Sequence, residues 1–172
     1  MVDRRVVASA KQKASVSVVV FRLRLLVEVF SEKAATGVSA VAGEKLDDRL
    51  EWLKFTGLSW AGDSSGFYYS RYPATSEEEK FQSLNKDMTI YFHEVGTLQE
   101  DDVVVYATPD NPDWGPRAQV TDDGNHLIIT ISVGTDSRYS IAYQDLTDPE
   151  SRPGMIIEGF DYDYSLIGNI GD

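Results

Sequence analysis

Apolar and polar positions alternate in short runs along most of this chain, and turn residues separate the runs. The clearest case lies between Leu50 and Pro73. An apolar strand is predicted over Phe55–Trp60, a Gly/Asp/Ser turn over Gly62–Gly66 and an aromatic strand over Phe67–Tyr72. Pro73 ends the pairing because it has no N–H to donate to a ladder. Period-two alternation puts Phe67 and Tyr69 on one face of the returning strand and Tyr68 and Ser70 on the other. Val120–Ser132 repeats the plan, with Asp122-Asp123-Gly124-Asn125 as the tight turn and Leu127, Ile129 and Ile131 facing one way.

The remaining segments fit the same scheme. Residues 1–13 form a polar, basic arm. Val16–Phe30 is rich in β-branched residues and reads as a strand, with a helix over Phe21–Phe30 as the alternative. Ser31–Gly43 is a small-residue loop or weak hairpin, and Leu46–Leu50 leads into the first clear unit. Ala74–Lys86 is a polar excursion around Glu77-Glu78-Glu79, expected to be solvated. Strands are predicted over Met88–Val95 and Asp102–Ala107, followed by a loop over Thr108–Gly115 around Trp114. Arg117–Thr121, His126–Val133, Arg138–Leu146 and Met155–Glu158 make a second set, and Phe160–Gly168 begins a third. Trp60 and Val120 hold equivalent places 60 residues apart, and His93 and Tyr143 are 50 apart. Repeats of roughly 40–50 residues with four short strands each point to an all-β fold, the antiparallel four-stranded blades of an incomplete β-propeller.

Composition narrows the chemistry. The chain has 172 residues, enough for one core, and a formal net charge of −12. That balance argues against nucleic acid as a partner, since phosphate binding needs clustered cations. The charge is uneven: residues 1–30 carry +4 and the remainder −16. There is no cysteine, so disulfides, thiolate metal sites and a cysteine nucleophile are excluded. No apolar run is long enough for a membrane-spanning helix, because Arg22, Arg24 and Glu28 interrupt the best candidate. Hydrolase motifs are incomplete: Gly37-Val-Ser and Gly57-Leu-Ser lack the closing glycine of a nucleophile elbow. The histidines are His93, placed mid-strand, and His126, just after a turn; both read as half-exposed sheet residues rather than catalytic bases. Asp122 and Asp123 read as turn formers, Trp52, Trp60 and Trp114 as packing residues, and neither a metal nor a cofactor is expected.

Several strings carry a resemblance. Leu50-Glu-Trp-Leu-Lys-Phe55, Ser59-Trp60, Gly66-Phe-Tyr-Tyr-Ser-Arg-Tyr-Pro73, Tyr91-Phe-His-Glu-Val-Gly-Thr97, Val120-Thr-Asp-Asp-Gly124 and Glu158-Gly-Phe-Asp-Tyr-Asp-Tyr164 follow one another in an order that resembles the N-terminal β-propeller of prolyl oligopeptidases. The resemblance covers Leu46 to Asp172, so that 1–45 reads as a divergent basic leader with a strand and 46–172 as about blades two to four of a seven-bladed ring. It implies a propeller that filters short proline-containing peptides for an α/β-hydrolase peptidase domain, which this chain lacks; the chain alone is expected to be inactive. It implies substrate-wall positions at Phe55, Gly115 and Thr135, the last two without the bulky apolar side chains of the family, and a gating role for Ala74–Asn85. A cytoplasmic location without membrane contact is expected. The alternative is a stand-alone propeller-like binding module that completes its ring by self-association through open blade edges.

Overall fold

A computed structural model describes residues 14–21, 26–31, 43–50, 53, 56–73, 85–164 and 167, with side chains from Asp48 onward. All described strands pair antiparallel, in three sheets. The first has the order β2–β1–β3, from β1 (Ala14–Phe21), β2 (Leu26–Ser31) and β3 (Gly43–Leu50). The region read as one strand over Val16–Phe30 is thus a pair of strands, and Ser31–Gly43, Glu77–Glu79 and Phe55 lie wholly or largely outside the described residues.

The second sheet is a simple meander of β4 (Leu58–Trp60), β5 (Gly66–Arg71), β6 (Thr89–Glu94) and β7 (Val103–Tyr106). The third repeats it as β8 (Trp114–Val120), β9 (His126–Val133), β10 (Ser140–Asp145) and β11 (Gly154–Ile157). Among the described residues the one helical element is a 3-10 turn at Gln99–Asp101. Trp114, placed in a loop by its Pro/Asn/Gly neighbours, instead opens β8 and pairs with Val133.

The two meanders superpose by sequence at an offset of 60 in their first hairpins. Asp63 Oδ1 accepts from the Ser65 N–H (2.9 Å) and hydroxyl (2.7 Å), and Asp123 Oδ1 accepts from Asn125 N–H (3.1 Å) and the Thr121 hydroxyl (2.5 Å). These contacts mimic main-chain turns, which is why Asp/Ser/Asn runs were legible as turns. The Ser65 N–H and hydroxyl hold the exposed Asp63 carboxyl below its ordinary value. Ser64 has a φ of 63° where the second turn has Gly124, at 80°.

Packing is face to face. Phe67 and Tyr69 on β5 share a face with Tyr91 and His93 on β6 and cover Leu50, the last residue of β3, and Leu53 beyond it. Tyr68 and Ile90 point the other way, onto Leu127, Ile129, Ile131 and Ala142 of the third sheet. Each fully buried aliphatic or aromatic side chain contributes about 1.5–3 kcal/mol. Main-chain and hydroxyl contacts fix the spacing: the Ser70 hydroxyl donates to Pro116 O (2.8 Å), and Val120 N–H donates to Ser59 Oγ (2.8 Å). At the turn end, a Cβ built on Gly62 would lie 2.9 Å from Gly124 Cα, so the two turns touch backbone to backbone.

Candidate functional site

Two places in the described structure carry chemistry beyond packing. The first is the end of the third sheet opposite its Asp-rich turn. Gly115 is the second residue of β8 and pairs with Ser132, whose hydroxyl donates to Gly115 O at 3.5 Å. Thr135 is exposed in the turn that follows β9, beside Gly134 (φ 57°). Gly115 and Thr135 therefore share one end of one sheet, a few residues apart across the β8–β9 pair. A Cβ on Gly115 would meet Ser132 Oγ at 3.6 Å and Met88 Sδ at 3.9 Å, ordinary contacts that leave room for a side chain. Next along the turn, Arg138 pairs with Asp136 through two nitrogens, at 2.5–3.2 Å, and draws the Asp136 carboxyl well below its ordinary value. The surface at this end offers main-chain groups, a hydroxyl and a self-contained ion pair. Among the described residues it holds no nucleophile–base pair. Phe55, the third expected wall residue, lies outside the described residues.

The second place is buried. His93 was expected to be half-exposed, but its side chain has no solvent exposure. The expectation missed that β6 is an inner strand of its sheet, with Leu50 and Leu53 packed to one side and the third sheet to the other. His93 Nδ1 lies 2.6 Å from Asp102 Oδ1, and because a carboxylate only accepts, the ring nitrogen donates. The other Asp102 oxygen accepts from the Tyr69 phenol at 2.5 Å, and Gln99 donates to the same phenol at 3.1 Å. On the far side of the ring, Asp48 Oδ2 stands 3.7 Å from Nε2 and accepts the Gly96 N–H at 2.8 Å. Phe67 packs on the imidazole with ring centres 5.1 Å apart. Burial, then the bond to Asp102, pushes the Tyr69 phenol far above its ordinary value, so it stays a donor. His126, by contrast, is half-buried as expected and meets the Tyr143 phenol at 3.0 Å.

Neither histidine faces a serine hydroxyl in the contacts above, and among the described residues no group of three or more His, Asp or Glu could hold a metal ion. The strand register also adjusts one expected equivalence: Phe67 pairs with His93 and Leu127 with Gln144, so His93 corresponds to Gln144 rather than Tyr143.

With the four-stranded meanders established, comparison with known proteins is decisive. The model of the prolyl oligopeptidase N-terminal β-propeller domain matches residues 36–172. The chain belongs to the prolyl oligopeptidase family. It is 34% identical over 151 residues to prolyl oligopeptidase A of Amanita bisporigera, covering 82% of this chain and 20% of that protein. It is 30% identical over 135 residues to the prolyl endopeptidase of Elizabethkingia meningoseptica, covering 78% of this chain and 19% of the relative. Among solved structures, one from a study of two prolyl endopeptidases and their inter-domain dynamics superposes with a TM-score of 0.65 at 32% identity, over 75% of this chain and 18% of that one. A mutant of prolyl oligopeptidase B from Galerina marginata, bound to a 35mer hydrolysis and macrocyclization substrate, gives 0.66 at 26% identity, over 85% and 20%. The chain thus spans about a fifth of the length of these prolyl oligopeptidase relatives, and its four-stranded sheets are blades of an incomplete N-terminal propeller.

Proposed function

We propose that this chain acts as part of the substrate filter of a prolyl-oligopeptidase-like serine endopeptidase, passing short proline-containing peptides to an α/β-hydrolase peptidase domain outside residues 1–172. The observation that carries this reading is the match of two complete four-stranded blades to the family's propeller rather than to its peptidase domain. The relatives' names describe proline-directed peptidases, and one is solved with a peptide substrate. Residues 46–172 then stand for about blades two to four, with 1–45 as a divergent leader. Phe55, Gly115 and Thr135 form the peptide-facing wall, which lacks a bulky apolar side chain at Gly115 and at Thr135.

The chain by itself has no hydrolytic machinery in this reading: His93 is sealed between aspartates and His126 is engaged with Tyr143. Purified chain is expected to release no dye from a proline-linked chromogenic peptide, and release that a serine-directed inhibitor abolishes would overturn this. Peptide contact is tested by calorimetric titration with a short proline peptide, comparing wild type with Gly115→Phe. The φ of Gly115 is not positive and a Cβ there makes ordinary contacts, so the variant's peptide affinity is expected to change several-fold once circular dichroism shows that its fold is retained. Unchanged affinity would remove Gly115 from the wall.

A second reading has one observation in its favour. Val103 and Val104 on the edge strand β7, and Ile156 on the edge strand β11, are more than half exposed, so both outer edges present apolar side chains beside unpaired main-chain groups. A self-associating binding module would use them. A discrete oligomer in light scattering supports that reading, and a monomer at micromolar concentration excludes it.

A further inference from the structure

The cluster around His93 does more than the fold requires of that position. One blade further on, Gln144 occupies the equivalent place and holds the loop leading to the outermost strand by donating to Ser151 O at 3.0 Å. A neutral amide is therefore sufficient to fasten that loop. In the second sheet the same place carries an imidazole with a carboxylate on either side. Asp102, from the loop before β7, does the fastening through Nδ1. Asp48 belongs to β3 of the preceding sheet and faces Nε2, a fully buried nitrogen with no hydrogen-bond partner.

Charge accounts for the difference. The side chains of Asp48 and Asp102 are 5% and 0% exposed, and neither is paired with a lysine or arginine among the described residues. Two buried carboxylates without a counter-charge are costly, and a neutral ring would aim the Nε2 lone pair at the Asp48 carboxylate. A proton on Nε2 supplies one positive charge between the two carboxylates, takes the lone pair away from Asp48 and turns the 3.7 Å approach into a charge-assisted contact.

We propose that His93 holds a second proton, on Nε2, and that the resulting imidazolium ties β3 to the β4–β7 sheet through Asp48, making this seam between neighbouring blades pH-operated. With that proton in place the tie is made. Once base removes it, Asp48 keeps only the Gly96 N–H, and β3 loosens. None of the other titratable or charged side chains described on the elements packed here is hydrogen-bonded or ion-paired to His93. Arg71 lies over the Tyr91 ring at 4.1 Å. Arg49, Glu94, Glu100 and Asp101 are exposed, and Tyr69 remains protonated. The proposal stands independently of the peptide-filter reading.

The test is hydrogen–deuterium exchange of the intact 172-residue chain, following the segment 43–50 and the Gly96 amide from about pH 6 to about pH 8.5, corrected for intrinsic exchange. Protection of β3 is expected to fall roughly tenfold across that interval, equivalent to about one pH unit of linkage. His93→Gln copies the neighbouring blade's solution and should fold with a flat profile. Asp48→Asn, which can still accept from Gly96, should also flatten it, whereas His126→Gln should leave the slope unchanged. A flat wild-type profile, or the same slope in His93→Gln, overturns the proposal. Should His93→Gln fail to fold, nitrogen-15 chemical shifts of the wild-type ring decide: both nitrogens protonated near pH 6 supports the latch, and protonation of Nδ1 alone refutes it.

Discussion

Gly66 shows how tightly single positions are bound in this fold. It opens β5, and a Cβ there would stand 2.2 Å from the main-chain oxygen of His93 and 2.5 Å from the Phe92 ring. The ring could turn aside; the carbonyl, held in the β5–β6 ladder, could not. Gly66→Ala is therefore expected to destabilise the chain by about 3 kcal/mol, read as a drop in the urea midpoint at unchanged slope. Glycine before an aromatic run was visible in the sequence as part of a turn, but the close approach behind it was not, because it depends on which strand returns alongside. The same limit explains His93. Its place mid-strand suggested half exposure, and a local pattern could not reveal that β6 is packed on both sides, nor that Asp48 and Asp102, from segments far apart in the chain, converge on one ring. Of the expected wall residues, Gly115 and Thr135 came from likeness to a family; nothing in their local pattern marks them.

At the scale of elements, the turns carry the repeat. The first hairpin turn puts Ser64 in the left-handed region at φ 63°, and its counterpart in the second is glycine. A serine there bears a backbone cost that glycine does not, partly offset by glycine's greater freedom when unfolded. Ser64→Gly is expected to stabilise the chain by about 0.5–1 kcal/mol, and thermal unfolding of the two proteins side by side would show whether it does. Strand extents were legible where turn residues bracket an apolar run: His126–Val133 appears as read. They slipped where breakers sit inside the strand. Pro116 belongs to β8 because its missing N–H falls on a residue whose carbonyl, not its nitrogen, is called on by Ser70 of the neighbouring sheet. The single run Val16–Phe30 divides into β1 and β2, a division its continuous apolar character concealed.

Across the molecule, four phenols share a common environment. The phenols of Tyr68, Tyr69, Tyr72 and Tyr106 are all raised above the ordinary value of 10.0, in each case chiefly by burial. The folded chain then keeps protons that the unfolded chain releases, so stability present below about pH 10 is lost as pH rises beyond it. Urea unfolding at about pH 9 and about pH 11 should show a lower midpoint at the higher value; equal midpoints would mean these phenols ionise without resistance. The overall architecture was the most legible level, since a repeated strand–turn plan at an offset of 60 residues survives errors in any one boundary. The contact between Gly62 and Gly124 has a consequence at this scale. The two meanders lean together until their turn backbones meet, and the absence of side chains at that point sets how far they lean. The closeness of the two sheets at this end is thereby limited by backbone alone, and in a ring of such sheets the step between neighbours determines how many fit. A methyl group on either glycine would wedge the sheets apart at one end and change the pitch of the whole ring.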